Sequence, residues 1–491
     1  MNHRLEELVT QNFAKAPTEA CLWWRGAWWS RGALEEMAVE CEENLAKSGF
    51  ASGQRLALVM QNSPLLLASC IAAWKLGGAV VPVNPQLKHP PLAEYLKSVD
   101  VYSAIVSREA EGLVDLLRSE GIPAAVADSN DAPPVVEGRG ATPDTDSDTA
   151  VLFHTAGAGG DVKAVPITHG NIIAVLSSII EIIPSMNEDD VILNAIPNYH
   201  SFGFVVGGIL PLASGMPQVV VPSFVPPRNA LAAIRAAGVT IIPAVPAMLG
   251  ILLGGDREIA PMSKVKLVFY GGGELMPGVA ERTKEIFCVK PLEGYGLTEA
   301  SSVLAVTPEE KGIKPGASGK ILSCFEAEVR GDGGELLPFD SDGRLWIRGE
   351  AIAKGYFRAP DISAERFRDG WFDTQDVVRI DEDGYITIVS PAGDVIMVGG
   401  VPVYPGEIET VLKRHPDIAE VAVIGSPRGG KGEVVRAFVV LKEGSASRSK
   451  DIVMYGRLKL PNYKAPRSVK ILPELPKDSL GKVLKKELRG V

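Results

Sequence analysis

The sequence predicts an α/β protein with a large N-terminal domain of two doubly wound sheets plus a β-rich subdomain, followed by a small α+β C-terminal domain. Three observations carry this. At 491 residues the chain exceeds what one hydrophobic core supports. Short β-branched runs alternate with helical segments in two successive sets, the pattern of parallel sheets covered by helices. After about Gly316 the pattern changes to closely spaced strands with Gly and Asp turns, such as the one at residues 330–334, and past Gly393 to a compact unit of helix and strands.

The first set comprises strands at residues 55–60, 79–83 and 104–106, with helices near 64–76 and 91–98. A stretch rich in Pro, Gly and Asp, residues 132–148, reads as the linker to the second set. That set has strands at 150–153, 191–193, 219–221, 240–242 and 266–270. In the C-terminal unit a helix is expected over 405–414, with strands at 421–424, 435–441 and 469–472. The domain boundary is placed between residues 390 and 391, and no internal repeat is evident.

A hydrophobic content of 46% with 22% charged residues belongs to a folded globular chain. The net charge of −10 opposes a nucleic-acid partner, which requires a strong basic field. Five scattered cysteines, Cys21, Cys41, Cys70, Cys288 and Cys324, form no Cys-x-x-Cys pair, so neither a disulfide framework nor a thiolate metal site is expected. A reducing, cytoplasmic setting fits, and the first seven residues lack the apolar core of an export signal. The most apolar stretch, residues 202–221, is interrupted by Gly207, Gly208, Pro211, Gly215 and Pro217. It reads as helix, turn and strand inside a core rather than a membrane span. Peripheral membrane contact is left open.

Five segments carry chemistry. Residues 154–163, His-Thr-Ala-Gly-Ala-Gly-Gly-Asp-Val-Lys, read as a glycine-rich turn between a strand and a helix opening near Thr168-His169-Gly170-Asn171, where backbone N–H groups can hold phosphate oxygens. Pro197-Asn198-Tyr199-His200-Ser201-Phe202-Gly203 contains one imidazole and no acidic residue. Tyr270-Gly271-Gly272-Gly273-Glu274 ends a strand with glycines that let backbone approach a ligand closely. Tyr295-Gly296-Leu297-Thr298-Glu299 offers an aromatic face, a hydroxyl and a carboxylate within five residues. Gly481-Lys482 lies ten residues from the C-terminus.

In this order, the segments resemble those of the adenylate-forming superfamily of acyl-CoA synthetases, luciferases and peptide-synthetase adenylation domains, from about residue 10 to the end. The resemblance implies ATP-dependent activation of a carboxylic acid through an acyl-adenylate, and then transfer to a pantetheine thiol. It implies that Tyr295 stacks on adenine, Thr298 bonds the α-phosphate, Glu299 and Thr155 hold Mg²⁺, and Asp376 accepts from the ribose hydroxyls. Thr155, Gly157, Gly160 and Lys163 would hold the outer phosphates, and Gly272, Gly273, Glu274 and Gly296 would border the nucleotide. His200, Phe202, Gly203 and Gly272 would line the acyl pocket. Lys482 would bridge carboxylate and α-phosphate, after which a mobile C-terminal domain turning at Gly393 would present Gly399, Gly400 and Val401 to the thiol.

Several positions depart from the family pattern. Ala156, Ala158 and Gly159 stand where the phosphate loop carries hydroxyls, Gln375 where the segment before Asp376 carries glycine, and Pro391 where the hinge carries arginine. Relatives that activate amino acids carry an aspartate in the His200 segment, so its absence favours an uncharged acyl tail, preferably a medium- or long-chain fatty acid. CoA is the default acceptor, and acyl-carrier-protein phosphopantetheine the alternative. A non-catalytic protein that binds AMP or an acyl ligand is the competing class, opposed by retention of Lys163, Thr298, Glu299, Asp376 and Lys482.

Overall fold

A computed structural model describes residues 4–86, 91–129, 132–138, 148–156, 162–254, 258–273, 275, 277–309, 314–331, 333–390, 396–398, 401–403, 405–427, 433–478, 481 and 483–490. The chain divides into two compact units, residues 1–326 with 348–372 and residues 327–347 with 373–491.

The first unit begins with α1 (Leu5–Lys15), β1 (Ala20–Trp24), β2 (Ala27–Ser30), α2 (Arg31–Lys47), β3 (Arg55–Val59), α3 (Pro64–Lys75) and β4 (Ala79–Val83). It continues through α4 (Pro91–Ser98), β5 (Ser103–Ser107), α5 (Gly112–Ser119), β6 (Ala124–Ala127), β7 (Thr149–Ala156), β8 (Val162–Thr168) and α6 (His169–Ile182). One sheet takes the order β6-β5-β3-β4-β7-β8. Its pairs are parallel except β7–β8. Every residue of β3, β4 and β5 is buried, as expected of strands covered on both faces. Ser63 caps α3 by accepting from Leu66 N–H, and Pro64 occupies the first turn, where its missing N–H costs nothing.

Two expectations are corrected here. The 132–148 stretch does not separate the two sets: β7 lies beside β4, with Val151 opposite Val80, and so belongs to the first sheet. An apolar run specifies a strand but not its neighbour. The next element after β7 is an antiparallel strand rather than a helix, because Val162–Thr168 is rich in β-branched residues and pairs along β7 from Ala156 to Thr149. The helix starts only at His169, where Thr168 and Asn171 form a capping box.

The second sheet is built from β9 (Ile192–Asn194), a π-helix (Gly203–Ile209) running into α7 (Leu210–Ser214), β10 (Gln218–Val220), α8 (Pro227–Ala237) and β11 (Ile241–Ala244). Then come α9 (Pro246–Leu253), β12 (Leu267–Tyr270), α10 (Pro277–Phe287), β13 (Leu292–Tyr295), β14 (Ala305–Val306) and β15 (Lys320–Ile321). Its order is β15-β14-β13-β12-β11-β9-β10-β1-β2. Successive strands depart to opposite sides of β9, β10 to one and β11 to the other. Such a reversal opens a crevice at the carboxyl ends of parallel strands.

A buried amide cluster links the two sheets. Asn62, just past β3, donates to Asn194 Oδ1 at 3.0 Å and to the Ile196 carbonyl at 2.8 Å. Its own Oδ1 accepts from Asn198 N–H at 2.7 Å. Asn198 donates to the Gly203 carbonyl at 2.8 Å, and Asn194 donates to Gln218 Oε1 at 2.9 Å. All four side chains are buried.

The remaining elements are β16 (Phe325–Arg330), β17 (Gly343–Gly349), α11 (Pro360–Arg366), β18 (Phe367–Arg368), β19 (Trp371–Ile380), β20 (Ile386–Ser390), β21 (Ile396–Val398) and β22 (Val401–Val403). They are followed by α12 (Pro405–Lys413), β23 (Ile418–Pro427), β24 (Glu433–Leu441), α13 (Ser449–Lys459), β25 (Ser468–Ile471) and α14 (Lys485–Leu488). Strands β23, β24 and β25 form a sheet whose core takes Ile408 and Leu412 from α12 and Ile452 from α13. Glu409 accepts from Val423 N–H at 2.7 Å and pairs with Lys485 at 2.9 Å, a structural role within this sheet and its helices.

The start of α6 also anchors α1. His169 is fully buried, its Nδ1 accepts from Leu5 N–H at 3.2 Å, and the Arg4 guanidinium stands 3.0 Å from Nε2. Burial, reinforced by the Arg4 charge, lowers its pKa to about 3. The unfolded chain binds this proton near pH 6.5 and the folded chain only near 3, so stability is complete above about 6.5 and declines as pH falls below it. The slope from one such group approaches about 1.4 kcal/mol per pH unit. Denaturant unfolding between pH 7 and pH 5 is expected to show His169→Gln less stable at pH 7 but flatter with pH than the parent; parallel curves would contradict this.

Candidate functional site

Most of the described residues singled out in the first unit follow the carboxyl ends of β9, β12 and β13, while Thr155 and Lys163 lie on β7 and β8. After β9, the chain turns through Pro197–Phe202, with His200 N–H donating to the Pro197 carbonyl at 3.0 Å. Gly203 is obligatory because a Cβ there would lie 2.3 Å from the Pro197 carbonyl oxygen. His200 is exposed rather than buried, and its Nδ1 accepts from Phe202 N–H at 3.3 Å. The Phe202 ring stands edge-on to Phe269 of β12, centroids 5.8 Å apart. Just past β12, Gly272 adopts φ +85°, a conformation that side chains resist.

Beyond β13, the Thr298–Ala300 turn is fixed from two sides. Ser301 and Ser302 take positive φ, Leu304 N–H donates to the Tyr295 carbonyl at 2.9 Å, and Ala353 N–H donates to the Glu299 carbonyl at 2.8 Å. Gly296 passes so close to this turn that a Cβ would fall 1.8 Å from the Ser302 carbonyl oxygen. The outcome is a hydroxyl pair: Ser201 Oγ and Thr298 Oγ1 lie 3.3 Å apart, joining the His200 segment to the Tyr295–Glu299 segment.

On the first sheet, Thr155 and Lys163 face each other across β7 and β8 at the base of the glycine-rich turn. The Lys163 ammonium sits 4.8 Å over the ring of Tyr356, whose hydroxyl donates to Glu299 Oε1 at 2.8 Å. Tyr356 carries no signal in the sequence reading, and Ser201 enters it only as a member of the 197–203 segment. Tyr356 lies 57 residues beyond Glu299, so no local spacing could reveal the contact.

Asp376 belongs to the second unit, where its N–H donates to Thr374 Oγ1 at 3.1 Å and Thr374 in turn donates to the Leu345 carbonyl at 2.9 Å. Gln375, which replaces a family glycine, keeps the glycine-like conformation at φ +62°. Val401 pairs with Val398 in the β21–β22 hairpin. Gly157, Gly160, Glu274, Lys482, Gly393, Gly399 and Gly400 lie outside the described residues.

The family profile described as AMP-binding enzyme matches residues 9–357, and that of the AMP-binding enzyme C-terminal domain matches residues 407–482. The chain belongs to the AMP-binding enzyme family. Within it, the chain is an AMP-forming acid–thiol ligase. It is 31% identical over 458 residues to 2-succinylbenzoate–CoA ligase of Geobacillus kaustophilus, covering 93% of this chain and 91% of that protein. It is 30% identical over 459 residues to 4-coumarate–CoA ligase-like 4 of rice, covering 88% and 82%. With a long-chain-fatty-acid–CoA ligase of Escherichia coli it shares 32% identity over 348 residues, covering 70% of this chain and 61% of that relative.

Two solved structures agree in fold along almost the whole chain. ATP-bound MatB from Rhodopseudomonas palustris superposes with a TM-score of 0.88 at 25% identity, covering 99% of each chain. The o-succinylbenzoate coenzyme A synthetase of Bacillus subtilis, in complex with ATP and magnesium ion, gives 0.85 at 25%, covering 98% of each. Among the described residues, no group of three or more His, Cys, Asp or Glu is placed to hold a metal by itself. Mg²⁺ typically binds through one or two carboxylates plus substrate phosphates, which suits the single carboxylate of Glu299.

Two variants test the local geometry. Gly296→Ala is expected to lower acid-dependent ATP–pyrophosphate exchange at least tenfold, since only backbone can yield to the added methyl, whereas Gly250→Ala, whose Cβ would meet open space, keeps the parental rate. Equal rates would show that the turn tolerates displacement. Gln375→Gly should raise denaturant stability by up to about 1 kcal/mol, the relief of left-handed strain less the entropy of glycine; a loss of stability would contradict the strain.

Proposed function

We propose that this enzyme activates a medium- or long-chain fatty acid as its acyl-adenylate and transfers the acyl group to the pantetheine thiol of CoA. The observation that carries the adenylation site is the Ser201–Thr298 hydroxyl pair, which puts the acyl-side segment against the phosphate-side segment. Supporting an apolar acid, the 197–203 segment has no carboxylate, Phe202 packs on Phe269, and the following π-helix is wholly buried and apolar. The Escherichia coli relative carries a long-chain-fatty-acid activity in its name.

In this reading a carboxylate oxygen forms a bond to the α-phosphorus of ATP while the bond to pyrophosphate breaks. Catalysis is positioning and charge stabilisation. Thr298 donates to the α-phosphate, Tyr295 stacks on adenine, and Asp376 accepts from the ribose. His200, Phe202, Gly203 and Gly272 border the acyl group, while Lys163 and the turn containing Gly157 and Gly160 hold the outer phosphates. Glu299 and Thr155 would hold Mg²⁺, which would supply charge neutralisation of those phosphates. Gly273, Glu274 and Gly296 border the nucleotide. Lys482, in the domain assigned to residues 391–491, steadies the developing charge. That domain then turns at Gly393 and brings Gly399, Gly400 and Val401 to the thiol, whose sulfur bonds the acyl carbon as AMP leaves.

No helix among the described residues is long and apolar enough to cross a membrane. The five free cysteines suit the reducing, cytoplasmic setting of this reading.

Acid-dependent ATP–pyrophosphate exchange, screened over fatty acids of graded length, hydroxycinnamic acids and o-succinylbenzoate, tests the proposal. Fastest exchange with a medium- or long-chain fatty acid is expected. Preference for either aromatic class would overturn the substrate, and no exchange with any acid would make the protein a binder. Lys482→Ala is expected to abolish exchange while largely sparing thioester formation from supplied acyl-adenylate. Equal loss of both half-reactions would refute the two-conformation cycle.

A further inference from the structure

We infer that Tyr356 is a positioning residue that ties the cation-binding carboxylate to the phosphate-binding ammonium, so that one buried ring sets both Glu299 and Lys163. Its placement is fixed at several points. Ser301 Oγ donates to the Ala351 carbonyl at 2.7 Å, and Ala353 N–H donates to the Glu299 carbonyl, so the approach to Tyr356 is fastened to the Thr298–Ala300 turn. Tyr356 N–H donates to Ser363 Oγ at 2.8 Å, and the next residue, Phe357, donates its N–H to the Ala164 carbonyl of β8. Gly355 adopts φ +150° immediately before it. The ring is 6% exposed and stands edge-on to Phe367 at 5.7 Å.

So held, the residue offers two different surfaces. Its hydroxyl donates to Glu299 Oε1, a bond strengthened by the acceptor's charge, and this fixes the orientation in which Glu299 would hold a cation. Its face carries the Lys163 ammonium, which the negative potential of the ring attracts. Lys163 belongs to β8 and Glu299 to the turn beyond β13, so Tyr356 is where the phosphate end of one sheet meets the carboxylate end of the other. The inference rests on the proposed roles of Glu299 and Lys163.

The two surfaces separate by mutation. Tyr356→Phe keeps the ring and removes the hydroxyl; Tyr356→Leu removes both. For Tyr356→Phe we expect about a fivefold rise in the Mg²⁺ concentration giving half-maximal pyrophosphate exchange, with thermal stabilisation by metal-free AMP unchanged. Tyr356→Leu should add about a fivefold rise in KM for ATP, again with AMP stabilisation retained. Glu299→Gln is run beside them. If Glu299→Gln shifts the Mg²⁺ dependence and Tyr356→Phe does not, the inference falls alone. If Glu299→Gln leaves the Mg²⁺ dependence at its parental value, the assignment of Glu299 falls and takes the inference with it. Equal loss of AMP and Mg²⁺–ATP stabilisation in both tyrosine variants would reduce Tyr356 to a packing residue.

Discussion

The first unit depends on four buried amides. Asn62, Asn194, Asn198 and Gln218 bond to one another and to the carbonyls of Ile196 and Gly203 in a region where an unpaired polar group costs about 1–3 kcal/mol. Because each member satisfies another, removing one strands its partners, and the cluster holds as a set. It fixes the end of β3 against the end of β9 and draws the chain into the turn that presents His200. Apolar packing alone would allow small sliding between sheets; directional bonds from Asn62 to Asn194 and Ile196 do not.

From that constraint the site follows by short steps. The turn leaving β9 brings Ser201 to Thr298, and the Thr298 turn brings Glu299 to Tyr356. Tyr356 in turn meets Lys163 on the other sheet. Four chain segments far apart in sequence converge within the same unit, carried on turns that backbone bonds fix. Glycines are required at positions 203 and 296, where backbone passes backbone too closely for a methyl group.

Much of this was legible from the sequence. The parallel strands announced themselves as runs such as Leu56-Ala57-Leu58-Val59, and the ordered motifs around Tyr295 and His200 identified the chemistry. Pairing was not legible, because an apolar strand does not name its neighbour; hence β7 was assigned to the wrong sheet and β8 was not anticipated. Helix α13 escaped notice because Ile452-Val453 and Gly456 weaken helical propensity, while packing of Ile452 into the small core overrides it. Tyr356 was not legible for another reason: its contacts with Glu299 and Lys163 span long sequence distances.

The π-helix at Gly203–Ile209 has a consequence for how this family can vary. A helix bonded with the wider spacing holds one more residue per closed ring than an α-helix, and here it begins where Asn198 clamps the Gly203 carbonyl and ends at α7. It is therefore a store of one spare residue beside the proposed acyl wall. Loss of a single residue within it can be absorbed by tightening to α-helical spacing, with both ends left in place, whereas the neighbouring strands offer no such slack. Change in length, and not only change in side chain, is thus a route by which this wall can be reshaped without disturbing the frame that holds it.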